Sequence, residues 1–271
     1  MDSGIGLLAA AAAVRRLHPG ADLVLSSDPD TMPWGNAPEK VKGLALAAAE
    51  AAAAHRPDAL IVACNTASVH ALPALRARLE PELPVIGTVP AIKPAAATGG
   101  PVAIWATPAT TGSPYQRGLI EEFAAGVSVT EVPCPGLADA VQEADEEAIT
   151  RAIEAAAALT PPEVTTVVLG CTHYELVAER IRAAVRQRDA QPLVLLGSAE
   201  AVVAQALRRI RERDVVDADG PAENAYDPED AEDTEGTLTV LLGGREAALP
   251  SAALTYAEGR LLAASDPLLK A

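Results

Sequence analysis

Two stretches of this chain follow one pattern. Ala59 to Ser68 reads Ala-Leu-Ile-Val-Ala-Cys-Asn-Thr-Ala-Ser, and Thr166 to Tyr174 reads Thr-Val-Val-Leu-Gly-Cys-Thr-His-Tyr. In each, a short apolar run ends at a cysteine and opens into small polar residues. A strand of a parallel sheet covered on both faces needs such a run. The polar residues after it mark a strand-to-helix switch. The repeat therefore points to an α/β fold with one thiol at the carboxyl end of a strand in each half.

The rest of the chain fits this frame. Helices are predicted at Leu7–Leu17, Glu39–His55, Ser68–Arg78, Tyr115–Ala124, Glu143–Leu159, Glu175–Arg188 and Ala199–Arg211. Strands are predicted at Ala21–Ser26, Leu60–Ala63, Pro84–Val89, Val102–Ala106, Val127–Val132, Val164–Leu169, Leu193–Leu196 and Leu238–Leu242. A closing helix is expected from Pro250 onward. The alternation predicts two pseudo-symmetric, doubly wound parallel-sheet units with the site in the cleft between them. The first unit is expected to take residues 1–92 plus 198–271, and the second 93–197. Ligands bind such folds at the carboxyl ends of the strands, which directs attention to Ser26–Gly35, Cys64–Thr66, Thr107–Ser113, Cys134 and Cys171–His173.

Composition excludes several classes. The net charge of −16 argues against a nucleic-acid partner, since phosphate binding needs clustered Lys and Arg. Aromatics at 3% leave no stacking platform for bases. Part of the acidity is local: Asp217 to Glu235 holds nine carboxylates and no Lys or Arg, and without it the charge is −7. Residues 214–236 are read as a disordered acidic insertion. No apolar run approaches the roughly 18 to 20 residues of a membrane span, and Leu7–Val14 reads as a helix rather than a signal peptide. Three cysteines do not make a disulfide framework; free thiols fit a reducing cytosol. No His, Asp or Glu spacing suggests a metal site. His18, His55 and His70 read as solvent or helix-end residues, Trp105 as core, and Cys134 as packing.

Two thiols facing one pocket suit one reaction. Inverting a carbon centre takes a base on one face and an acid on the other. One cysteine, as thiolate, removes the α-proton of an amino acid, and the other, as thiol, protonates the opposite face. Each cysteine stands at a helix N-terminus, and Cys171 has His173 beside it. A helix N-terminus and a nearby imidazolium both stabilise thiolate. No cofactor is expected. The four lysines (Lys40, Lys42, Lys93 and Lys270) do not sit beside a glycine-rich phosphate loop, as a pyridoxal site would require.

The chain resembles the glutamate racemases of the aspartate/glutamate racemase superfamily from about Asp2 to Leu207. The resemblance is carried by Asp2-Ser-Gly-Ile-Gly6, by Asp28 with Pro33-Trp-Gly35, by Ala63-Cys-Asn-Thr-Ala67 and by Gly170-Cys-Thr-His-Tyr174. Thr107, Thr110 and Tyr115 fit the family's threonine-rich loop, and Cys134-Pro135 fits a further pair. The resemblance implies roles. Cys64 and Cys171 would be the two acid/bases, tuned or assisted by Asp2 and His173. Ser3, Pro33, Trp34, Gly35, Asn65, Thr66, Thr107, Thr110 and Thr172 would line the substrate site. Hydroxyls, an amide and helix N-terminal amides can hold two carboxylates and an ammonium without an Arg cluster. The implied product, D-glutamate, would feed peptidoglycan synthesis. A homodimer is compatible with this reading, and the expected partner is a small-molecule amino acid.

Four departures stand out. Only Met1 precedes Asp2, where family members carry a strand. A gap at this interior strand is therefore expected, with Asp2 at a fraying terminus and a start codon assigned too late, or a truncated chain, as its origin. Leu7 replaces a glycine, and Trp34 replaces a tyrosine. Gln142 stands where an acidic residue is expected, with Glu143 beside it. Two alternatives stay open: a relative acting on another amino acid such as aspartate, and a binding protein that has lost turnover.

Overall fold

The computed structural model describes residues 1–32, 34–35, 37–186, 192–217 and 236–264. Pro33 lies outside the described residues, as does the acidic segment 218–235. From the N-terminus the chain forms α1 (Leu8–Leu17), β1 (Leu23–Ser27), α2 (Pro38–Ala53), β2 (Leu60–Val62), α3 (Asn65–His70), α4 (Leu72–Leu79), β3 (Val85–Gly87) and α5 (Ile92–Ala96). It continues with β4 (Val102–Ala106), α6 (Pro114–Phe123), β5 (Val129–Pro133), α7 (Leu137–Glu143), α8 (Glu146–Leu159), β6 (Thr166–Leu169), α9 (Thr172–Glu175), α10 (Ala178–Arg186) and β7 (Val194–Leu196). The remaining elements are α11 (Ala199–Asp217), β8 (Leu238–Leu242), β9 (Arg245–Glu246) and α12 (Ala257–Ala263).

The fold is α/β with parallel sheets. One sheet has the order β5-β4-β6-β7, parallel throughout. β2 pairs with β3 in parallel, and β1 pairs in parallel with β8, to which β9 adds an antiparallel edge. Short Val, Leu and Ile strands supply the buried sheet faces, and alanine supplies much of the helix packing. Ala45, Ala49, Ala67 and Ala95 are all fully buried. With few aromatics, small side chains let helix and sheet backbones approach closely. Trp105 on β4 is fully buried, and its indole N–H donates to Thr160 Oγ at 2.9 Å.

Met1 and Asp2 lie between β1 and β2. The Asp2 amide donates to the Ser26 carbonyl at 3.1 Å, and Asp2 bridges Ser27 in parallel. The Met1 nitrogen donates to the Ile61 carbonyl at 2.7 Å, and the Ala63 amide donates to the Met1 carbonyl at 2.9 Å. Both residues are buried. The expectation of a fraying Asp2 is therefore corrected. Two residues suffice to hold it, because each is hydrogen-bonded to a neighbouring strand.

Several helices differ from expectation. The helix predicted over Ser68–Arg78 is two helices broken at Ala71. Pro73 in the first turn of α4 has no amide to continue α3. The helix predicted over Glu175–Arg188 starts only at Ala178 as α10, after the short α9 that opens right behind Cys171, and its last two residues lie outside the described residues. α7 was not expected, and both its flanking residues, Gly136 and Ala144, are left-handed. The following helix starts at Glu146 rather than Glu143, where the Asp145 side chain caps it by accepting from the Ala148 amide at 2.9 Å. α11 runs to Asp217, past the predicted end at Arg211, since no Gly or Pro intervenes before Gly220.

Gly170 locks the end of β6 to β4. Its amide donates to the Trp105 carbonyl at 2.7 Å, and a Cβ at this position would stand 2.8 Å from that same oxygen. Gly170→Ala should therefore cost about 1–3 kcal/mol, the usual price of overpacking. Urea denaturation checks this, and an unshifted midpoint would contradict the close-approach account.

Candidate active site

Both thiols are held by the same local device. Cys64 follows β2 and caps α3 with φ −146° and ψ 116°. Cys171 follows β6 and caps α9 with φ −143° and ψ 135°. In both, extended backbone turns into a helix at the cysteine, so each sulfur stands over a first helical turn. Asn65 joins the two motifs, its Nδ2 donating to the Gly170 carbonyl at 2.8 Å. Asn65 Oδ1 is buried and accepts no hydrogen bond. A buried amide oxygen in that state is an acceptor waiting for a donor.

The N-terminal segment runs between the thiols. Asp2 Oδ1 accepts from the Ser3 amide at 2.6 Å and from Ser3 Oγ at 3.3 Å. Asp2 Oδ2 accepts from Thr172 Oγ at 3.3 Å. Ser3 Oγ lies 4.0 Å from Cys64 Sγ. One carboxylate thus touches the Cys64 side and the Cys171 side. The segment's glycines make this approach possible. A Cβ on Gly6 would collide with Asp2, Thr172 and His173, and one on Gly4 would collide with Gln142 and Met32.

His173 is buried beside Cys171, with Nδ1 3.9 Å from the sulfur and Nε2 3.1 Å from Gln142 Oε1. The charge states differ from the sequence expectation of thiolate beside imidazolium. Burial pulls His173 down to about 4, so its ring is neutral at physiological pH. Burial also pushes Cys171 up to about 12, against the opposing pull of the His173 and Tyr174 amides. Cys64 is raised well above its ordinary value by burial and then by the Asp2 charge, while the Ala67 amide pulls the other way. Helix N-termini do favour thiolate here, but desolvation is the larger effect. Both cysteines rest as thiols. Asp2 is itself raised to about 6 by burial.

The remaining residues divide. Thr107 and Thr110 are half-buried at the end of β4, with their hydroxyls 3.2 Å apart. Their loop is tied down where the Gly112 amide donates to Glu131 at 2.7 Å. Thr66 is half-buried in the first turn of α3. Trp34 is buried in the cluster that includes Met1, Val41 and Cys64, and its indole N–H donates to Thr31 Oγ at 3.1 Å. Gly35 is exposed at φ 71°.

Comparison with known proteins decides the family. A family model described as Asp/Glu/Hydantoin racemase matches residues 7–206. The chain belongs to this racemase family. It is similar to the glutamate racemase of Roseiflexus sp. (strain RS-1), 36% identical over 218 residues that cover 78% of each chain. It is 37% identical to that of Granulibacter bethesdensis over 216 residues, 76% of each. Its fold matches the Escherichia coli glutamate racemase, solved in complex with L-glutamate and the activator UDP-MurNAc-Ala. That match has a TM-score of 0.71 and 26% identity, and covers 96% of this chain and 90% of the other. Racemases are isomerases, and this chain is one by family.

For a member of this family, the sequence pattern missed two supports. Gln142 reads as a departure, yet its Oε1 also accepts from the Ile5 amide at 2.9 Å, tying α7 to the N-terminal segment. Tyr256, buried beyond β9, donates its hydroxyl to the Val141 carbonyl at 2.6 Å, next to Gln142. Neither residue lies in a motif, and each contact spans more than a hundred residues of sequence.

Asp2 makes stability depend on pH. Its folded value of about 6 exceeds its ordinary 3.8, so the folded protein binds this proton more tightly. The resulting stabilisation is present below pH 3.8 and is lost as pH rises through 6. The loss amounts to about 3 kcal/mol. Asp2→Asn, with no proton to lose, should show a correspondingly smaller fall in unfolding free energy between pH 4 and pH 7. Parallel slopes for the two proteins would contradict this.

Proposed function

We propose that the chain is a cofactor-independent glutamate racemase in which Cys64 and Cys171 exchange the roles of base and acid. The observation that carries this reading is the pair of helix-capping thiols joined by the Asn65–Gly170 hydrogen bond. Family membership and the names of its relatives support glutamate as the substrate.

Both thiols rest protonated, so one must first give its proton to a neighbour. His173 Nδ1 serves Cys171, and the Asp2 carboxylate serves Cys64. The thiolate then attacks the α-hydrogen: the C–H bond breaks, an S–H bond forms, and the electron pair stays on Cα. The opposite thiol breaks its S–H bond and delivers that proton to the other face. In the reverse direction the roles exchange. Burial makes each transient thiolate a strong base, as removal of a weakly acidic α-proton requires.

Asn65 Oδ1 takes a hydrogen bond from the substrate ammonium, which supplies its missing donor. Ser3, Thr66, Thr107, Thr110 and Thr172, with the helix N-terminal amides, hold the two carboxylates. Trp34 and Gly35 belong to the flanking loop. Free thiols fit a reducing cytoplasm, where D-glutamate would supply peptidoglycan and cell-wall growth. The two sequence units, 1–92 with 198–271 and 93–197, would each bring one cysteine.

The purified protein should racemise L-glutamate in a polarimeter without added cofactor, and faster than it racemises L-aspartate. Cys64→Ala and Cys171→Ala should each lower kcat by at least about a thousandfold, since loss of an acid/base group costs this order. Normal turnover by either variant would falsify the two-thiol reading.

A further inference from the structure

Gln142 Oε1 lies 2.9 Å from the Ile5 amide nitrogen and 3.1 Å from His173 Nε2. A backbone amide can only donate, so the Gln142 atom facing Ile5 is the carbonyl oxygen. An amide nitrogen there would set two donors against each other. The same oxygen faces His173 Nε2, which must therefore carry a hydrogen. A neutral imidazole has one N–H, so the lone pair falls on Nδ1, and Nδ1 is the atom turned to Cys171 Sγ at 3.9 Å. We propose that Gln142 is a positioning residue that holds neutral His173 in its Nε2–H tautomer and so makes Nδ1 the acceptor of the Cys171 thiol proton.

The inference deepens the proposed function and rests on its reading of Cys171 as a proton carrier. In the step, the Cys171 S–H bond breaks, sulfur keeps the electron pair, and the proton joins Nδ1. The imidazolium so formed keeps its Nε2–H on the Gln142 carbonyl. The reverse transfer restores the resting pair.

The surroundings are built for this contact. Gly4 leaves the space that Gln142 occupies, since a Cβ there would meet its side-chain amide. Tyr256 pins the Val141 carbonyl next to Gln142. The groups that could charge or repel His173 are few on the elements packed against it. From the N-terminal segment there is Asp2, whose Oδ2 gathers with Thr172 Oγ and His173 Nδ1 around Gly6. On α7, Asp139 and Glu143 are exposed. On its own segment there are Cys171, the buried Tyr174, and Glu175, whose carboxylate accepts from Ser198 and from the amide of Ala199. The partner of Nε2 is thus a neutral carbonyl. This agrees with a ring that burial keeps unprotonated down to about pH 4.

The test is 15N NMR of the histidine-labelled protein, with the His173 signals identified by their absence from His173→Asn. At pH 7 the expected spectrum has a protonated Nε2 and an unprotonated Nδ1. An Nδ1–H tautomer, or an imidazolium at that pH, would overturn the inference. Gln142→Glu keeps an oxygen acceptor for both donors and adds a charge. It should raise the His173 titration midpoint by roughly one unit or more; an unmoved midpoint would also overturn the inference. Gln142→Leu should lose the single tautomer and drop kcat by about tenfold or more, and if it does not fold, the Glu variant decides. The NMR readout does not depend on turnover. A protein with the expected tautomer and no racemase activity would refute the proposed function and leave the Gln142 assignment standing.

Discussion

The hydrogen bond from the Asn65 amide to the Gly170 carbonyl, 2.8 Å long, ties one cysteine motif to the other. The placement of one thiol motif relative to the other rests on that registry. It brings two helix caps, separated by more than a hundred residues, close enough for the charge of one thiol to disfavour that of the other. It also leaves Asn65 Oδ1 buried and without a partner, a cost acceptable where a ligand supplies the donor. The registry in turn depends on glycine. Gly170 lies against the Trp105 carbonyl, and Gly4 and Gly6 let the N-terminal segment pass between Gln142, Thr172 and His173.

Asp2 adds a second tie of a different kind. A carboxylate this deeply buried is expensive, and burial raises it to about 6. It is held by the Ser3 amide and hydroxyl on one oxygen and by Thr172 on the other. Those bonds do not cancel its desolvation. The protein therefore keeps near its thiols a group whose proton affinity lies close to physiological pH, as acid/base work requires. His173 sits beside Cys171 as a neutral ring, with its Nε2 facing the Gln142 carbonyl at 3.1 Å. The two cysteines thus have chemically different neighbours, a carboxylate and an imidazole, on a backbone that treats them alike.

Much of this was legible in the sequence, for a physical reason. Both cysteine motifs end buried apolar runs, and a parallel sheet leaves such runs few alternatives. The α/β alternation and the strands β4 and β8 follow directly. What local pattern could not supply was depth. A cysteine at a helix N-terminus beside a histidine reads as a thiolate beside an imidazolium; in the folded protein, desolvation removes both charges. Likewise α7 is flanked on both sides by left-handed residues, one of them Ala144, where nothing in the composition signals a stop. The N-terminal segment reads as loose because it is short, yet Met1 and Asp2 are fixed by bonds to Ser26, Ile61 and Ala63, all distant in sequence. Gln142 reads as a departure until its contact with Ile5, 137 positions away, is seen.

The central claim is that each thiol serves one face of the substrate. It is tested most directly by following L-glutamate in deuterium oxide by NMR, before the reaction approaches equilibrium. If the proton removed and the proton delivered travel on different sulfurs, the D-glutamate formed carries solvent deuterium at Cα, while the remaining L-glutamate keeps its protium. D-Glutamate that retains the original protium would mean that a single group carries the hydrogen across, and would contradict the account.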